Sequence, residues 1–266
     1  MSAPEFFLTL FGFSAQTQPT ERLEDRMNRF LQSEPTTESL DSEAFAQLIG
    51  AETKADYLLA NRHFVAELKT INGNPKDRVE QRLKARFAQP GAPIVFGTLG
   101  LTRVLEGMSD RDQVLKVIND LSARSVRRHL QKSNTQIGAI KERLRLADAA
   151  GLTIIMNDSE PMIDAANIAY AIKNAFENVK GGYSHISYIW VSIERHRIRF
   201  PDGSECFPQL LITKSSKSGP ELDFLGRMLW AWAHFNGARL QQMSHEGDWD
   251  TMAAIFSDPP PALALF

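Results

Sequence analysis

Residues 55–71, ADYLLANRHFVAELKTI, hold two short apolar runs, with Asp56 opening the first and Glu67 and Lys69 closing the second. Each run is too short for a typical helix and is bounded by polar residues, so both read as strands. With Asn61 and Arg62 at the centre of a tight hairpin turn, Leu59 faces Phe64, Leu58 faces Val65 and Tyr57 faces Ala66. The next pair is Asp56 opposite Glu67. Strand alternation puts Lys69 on the face of Glu67 and turns Leu68 the other way. A three-residue loop would shift every partner by one, and Asn-Arg is not a strong turn pair.

In the first register two carboxylates meet at the end of a sheet. Like charges directly opposite one another destabilise a hairpin, so a counter-charge is required. A divalent cation supplies one: Mg²⁺ takes one or two carboxylates and completes its octahedron with water and phosphate oxygens. The ammonium of Lys69 supplies another and would hold or polarise a water. Asp, Glu and Lys in one cluster suit hydrolysis of a phosphodiester. The competing reading is an ordinary solvated ion pair at a strand end, contributing about 0–1 kcal/mol.

The chain has 266 residues, 43% apolar, with 30 Lys plus Arg against 32 Asp plus Glu. That excludes a global basic field of the histone kind but leaves room for a local patch. Cys206 is the single cysteine, so an intramolecular disulfide is impossible, and a reducing, cytoplasmic setting is the expectation. FFLTLFGF near the N-terminus lacks a basic flank, carries Glu5 upstream and is too short to span a bilayer; it reads as a strand or an anchor on the body. Residues 1–20 are therefore set apart as an N-terminal segment, and 21–266 as a single domain.

Along that domain, helices are expected over ERLEDRMNRFLQSE, TTESLDSEAFAQLIG, KDRVEQRLKARFA, two stretches between Asp110 and Ala150 stopped by Gly151, PMIDAANIAYAIKNAFENV, and GPELDFLGRMLWAWAHFNGARL. LTIIMND, SHISYIWVSIE, HRIRFP and CFPQLLITK read as strands. Leu222, Leu225, Met228, Leu229 and Trp232 form an apolar helical stripe, read as core.

KADYLL followed by VAELK resembles the PD-(D/E)xK nuclease superfamily, the restriction-endonuclease-like fold. SLDSEAFAQLI before the two motifs and NTQIGAIKERLRLADAAGLTIIMND after them fit its order of elements. The resemblance covers residues 38–158 and implies an α/β fold: a central mixed sheet flanked by helices, with a helical insertion at about 74–133 and a C-terminal β-hairpin/helix extension. It further implies that Asp56 and Glu67 bind metal with the backbone carbonyl of Leu68, and that Lys69 orients the attacking water or stabilises the transition state. Gln136 matches the glutamine that many members carry on the following helix, with Lys141 as a second candidate, and Glu43 matches a helix-one glutamate. Ala55 replaces the proline that usually precedes the aspartate.

The implied activity is Mg²⁺-dependent phosphodiester hydrolysis (Mn²⁺ substituting), on DNA in preference to RNA, in DNA processing or defence. A non-catalytic nucleic-acid-binding or assembly protein retaining the fold is the alternative. Cutting both strands of a duplex calls for two sites, which makes a homodimer an expected state. Arg124, Arg127, Arg128 and Lys132, then Lys141 and Arg145, recur at helical spacings, and Lys76, Arg78, Arg82, Lys84 and Arg86 form another basic cluster. Either could grip phosphates or be a solvated helix face. The six histidines lack metal-ligand spacing, and no P-loop or G-x-S-x-G elbow occurs.

Overall fold

The structure, a computed structural model, describes residues 6–14, 20–45, 54–72, 81, 84–85, 111–160, 163–178, 182–199, 205–214 and 218–243. The expected helix over KDRVEQRLKARFA and its basic cluster lie largely outside them. Its strands are β1 (Phe6–Ser14), β2 (Glu38–Ser39), β3 (Tyr57–Leu59), β4 (Phe64–Thr70), β5 (Ala150–Asn157), β6 (Tyr188–Ile193), β7 (Ile198–Arg199), β8 (Glu205–Lys214) and β9 (Arg239–Met243). The helices used below are α1 (Leu23–Ser33), α2 (Arg111–Arg143), α3 (Ala165–Asn178) and α4 (Pro220–Phe235). The sheet runs β2-β3-β4-β5-β6-β8-β1-β9, with β7 paired to β8. The steps β4-β5-β6 are parallel and the other pairings antiparallel, so the protein is α/β with a mixed sheet.

Alternation divides the strand residues between two cores. Leu58, Val65, Ile155, Val191 and Leu210 pack with Val126, Leu130 and Ile137 of α2 and Ile168 and Ile172 of α3. Tyr57, Phe64, Ala66, Ile154 and Trp190 pack on the opposite face with Met27 and Phe30 of α1 and Leu225, Leu229 and Trp232 of α4. The apolar stripe of α4 is core, as its spacing indicates. On that second face buried Arg26 is hydrogen-bonded to Glu194, just beyond the C-terminal end of the central strand β6, and to Asn236 after α4, tying both helices to that end of the sheet.

Several elements differ from the sequence reading. β1, from the segment set apart as 1–20, lies inside the sheet between β8 and β9, with Phe6 opposite Lys214 and Phe13 opposite Leu240. The segment read as a helix from Thr36 begins with the short strand β2, and helical turns start at Glu43. β2 pairs with β3, and a strand there satisfies the outer backbone groups of the hairpin. The final helix stops at Phe235; Gly237 takes φ 62°, and Arg239 and Leu240 belong to β9.

Between Asp110 and Ala150 one helix replaces the expected two. Residues 111–133, assigned to an insertion, are the first part of the helix that carries Gln136. It ends well before Gly151. Leu146 N–H donates to Lys141 O (2.8 Å) and Arg145 N–H to Glu142 O (3.2 Å), while Arg145 takes φ 56°. This is the Schellman arrangement with arginine in the left-handed position usually held by glycine.

Gly151 instead lies within β5, where a Cβ would come 1.8 Å from the His185 carbonyl oxygen. The His185 ring rests on Gly138 of α2, at 2.7 Å from a Cβ built there, and His185 N–H donates to Asn134 Oδ1 (2.9 Å). This loop is wedged between α2 and β5 and sets the height of α2 two residues either side of Gln136. Gly151→Ala is therefore expected to destabilise the fold by about 1–3 kcal/mol or more, because a backbone atom rather than a flexible side chain blocks the methyl. Chemical denaturation of the two proteins checks this.

Candidate active site at the β3–β4 hairpin

The hairpin keeps the register expected from its apolar pairs: Leu59↔Phe64, Leu58↔Val65 and Tyr57↔Ala66. The connection is not a two-residue turn. Residues 60–63 form the loop, and Ala60, Asn61 and Arg62 all take left-handed conformations, with φ 50°, 53° and 70°. Such a backbone costs roughly 1–2 kcal/mol per non-glycine residue. Offsetting bonds run from His63 N–H to Ala60 O (3.2 Å), from Asn61 N–H to Thr36 O (3.2 Å), and from the Arg62 guanidinium to both Glu38 carboxylate oxygens (2.8 Å each). His63, exposed and bonded to Ala60 O, is a turn residue.

The ladder stops at Tyr57↔Ala66, so Asp56 is not the next rung. It sits in a bend, its N–H donating to Ala66 O (3.1 Å) and its carbonyl accepting from Leu40 N–H (2.9 Å). Its carboxylate crosses to β4 and accepts from Leu68 N–H (2.7 Å). That bond brings Asp56 close enough to Glu67 for each carboxyl to feel the other's charge. Glu67 and Lys69 share the α2 face of the sheet with Val65, and Leu68 packs on the opposite core. The alternation read from the sequence is the alternation found.

Lys69 donates to Glu67 Oε1 and to Gln136 Oε1 (3.0 Å), and Gln136 Nε2 donates to Lys54 O (2.6 Å). Gln136 thus clamps the chain just before Asp56 to the side chain two residues after Glu67. Glu67, Lys69 and Gln136 are 1%, 8% and 8% exposed, so this is no solvated surface pair. Of the other candidates, Lys141 lies five residues on, about 140° around the helix from Gln136. Glu43 is exposed to solvent.

Burial raises the Glu67 carboxyl to about 8, helped by the Asp56 charge and opposed by Lys69. Burial also raises Asp56, opposed by the Leu68 N–H and Lys69. A buried carboxyl beside a second, half-buried one resists ionising together with it, and added positive charge favours the ionised pair. Glu67 Oε2 is buried and meets no donor among the described residues.

Three further polar groups line the same side and were not among the expected site residues. Thr153 of β5 sits beside Glu67 in the parallel register, fully buried, its Oγ1 without a partner among the described residues. Ser133 Oγ and His129 Nε2 on α2 are likewise buried and unpartnered. Burial holds His129 down at about 4, with Lys69, Arg128 and Lys132 adding to the effect. Positions 129, 133 and 136 follow i, i+4, i+7 spacing, so Ser133 and His129 are readable once Gln136 is placed. Thr153 is not, because it depends on the β4–β5 register.

No family model, curated protein or solved structure matches the chain. Among the described residues no helix is long and apolar enough to cross a membrane.

Proposed function

We propose that the protein is a metal-dependent nuclease that hydrolyses phosphodiester bonds at Asp56, Glu67 and Lys69. The observation that carries this reading is a buried carboxyl, Glu67, bonded to a lysine that a helix glutamine holds in place, with the half-buried carboxyl of Asp56 beside it. A purely structural ion pair has no use for a second carboxyl that pushes the first toward neutrality; removing it would relieve a cost.

The donor set fits a hard divalent cation such as Mg²⁺: two carboxylates, one with an oxygen lacking any donor among the described residues. Asp56 and Glu67 would hold the ion, with the Leu68 carbonyl as a further candidate ligand. Bound there, Mg²⁺ supplies Lewis-acid charge to a phosphoryl oxygen and lowers the pKa of a coordinated water. The chain's own groups do the rest. Lys69 has three N–H bonds; Glu67 and Gln136 take two, leaving one for a phosphate oxygen or the attacking water. Gln136 is a positioning residue, acting through Lys69. The partner is nucleic acid, with DNA in preference to RNA carried over from the family resemblance.

The test is cleavage of supercoiled, linear and single-stranded substrates with Mg²⁺, Mn²⁺ or EDTA. Cleavage that requires the metal and is lost in Asp56→Asn supports the assignment. Metal-dependent cleavage that survives Asp56→Asn unchanged overturns the site. Binding without cleavage moves the protein to the non-catalytic nucleic-acid-binding class.

A further inference from the structure

Resting on the nuclease reading, we infer that the substrate reaches the carboxylate pair as a single unpaired strand, its phosphates drawn in along one row of cations on α2. Arg124, Arg128 and Lys132 are exposed and spaced by four residues, and the next member of the row is Gln136. Four residues advance an α-helix by about 6 Å and turn it by about 40° past a full turn. The row therefore winds from solvent at Arg124 to the buried amide of Gln136, which touches Lys69. Its last step ends in the site.

The charge along this path is of one sign. From Leu121 to Lys141 the sequence contains Arg124, Arg127, Arg128, Lys132 and Lys141 and no Asp or Glu. Arg127 Nε is buried without a partner among the described residues. On the hairpin side of the cluster the described charges are paired, Asp41 with Lys54, whose backbone carbonyl holds Gln136, and Glu38 with Arg62. A polyanion is drawn in from the α2 side, where the described cations outnumber the acids.

Depth then selects the form of the strand. Glu67 is 1% exposed and Lys69 8%, between a sheet face and a helix. A base-paired duplex carries its phosphates on a stiff convex surface backed by stacked bases and presents two backbones, whereas the row offers one track. An unpaired strand can bend its backbone down to the pair. Contacts of this kind hold phosphates without reading bases, so binding is tolerant of sequence and steeply dependent on salt.

The experiment is fluorescence anisotropy with full-length Lys69→Met protein in Ca²⁺, using labelled single-stranded DNA, single-stranded RNA and a blunt DNA duplex of equal length. The expected result is single-strand binding at least about 10-fold tighter than duplex binding; the DNA and RNA arms show which sugar is preferred. Arg128→Glu and Lys132→Glu should each weaken single-strand binding about 10-fold and flatten its log–log salt dependence by about 0.7 or more per lost contact. Arg227→Glu, an equal charge change on exposed α4, should not. Duplex binding as tight as single-strand binding, or an Arg227→Glu effect equal to that of the α2 variants, overturns the inference and leaves the nuclease assignment standing. Absence of binding to all three nucleic acids overturns both.

Discussion

Lys69→Met is expected to lower the Mg²⁺-dependent cleavage rate by about 10²–10⁴-fold while the protein stays folded. Methionine keeps most of the aliphatic stem that packs between β4 and α2 but removes every N–H bond. Two consequences compound. The bond proposed for the phosphate or attacking water is gone, and Glu67 Oε1 loses the ammonium that favours its ionised form. Gln136→Leu should act in the same direction but more weakly, about 10-fold, because its effect passes through the placement of Lys69. Single-turnover rates on a labelled oligonucleotide, with circular dichroism to establish folding, check both. A Lys69→Met enzyme within two-fold of wild type would remove Lys69 from the machinery.

Glu67→Gln is expected to stabilise the metal-free protein at alkaline pH while abolishing cleavage. The folded-state Glu67 carboxyl is raised to about 8 from an ordinary value near 4.5. Between those values the folded protein holds a proton that the unfolded chain has released, so wild-type stability falls as pH rises. The slope approaches about 1.4 kcal/mol per pH unit, and the advantage of Glu67→Gln should grow by several kcal/mol from pH 5 to pH 8. His129 works in the opposite sense. Its folded-state value is depressed from 6.5 to about 4, so it adds stability as pH rises through that interval and is flat above it. The Glu67 effect is therefore read most cleanly between pH 6.5 and 8. Mg²⁺ should restore wild-type stability in this range and leave Glu67→Gln unmoved, since only the carboxylate pair gains from the ion. Urea denaturation at stepped pH, with and without Mg²⁺, measures the difference.

The hairpin was legible because its apolar residues pair one-to-one, which fixes the register and puts Glu67 and Lys69 on one face with Leu68 on the other. What the pattern could not show is that Asp56 leaves the ladder. Its position against Glu67 comes from the bond to Leu68 N–H, not from a rung. Gln136 was legible from the family resemblance, but its second bond, to the Lys54 carbonyl, is a long-range contact with no local signature.

Other features were hidden for separate physical reasons. The stretch read as two helices is the single α2, within which Ser133 is buried toward the site and Gly138 accepts the His185 ring. Its C-terminus was missed because Arg145, not glycine, takes the left-handed position. β1, read as a strand or an anchor, was set apart from the domain because its partners, β8 and β9, lie some two hundred residues away. Nothing local marks Arg26 as a buried residue; Glu194 and Asn236, distant in sequence, hold it inside.

The central claim is that Asp56 and Glu67 are kept together to hold a divalent cation, and Mn²⁺ binding followed by electron paramagnetic resonance tests it most directly. The account predicts saturable binding to wild type, displaced by Mg²⁺ and lost in both Asp56→Asn and Glu67→Gln. Equal binding in either variant, or none in wild type, contradicts it.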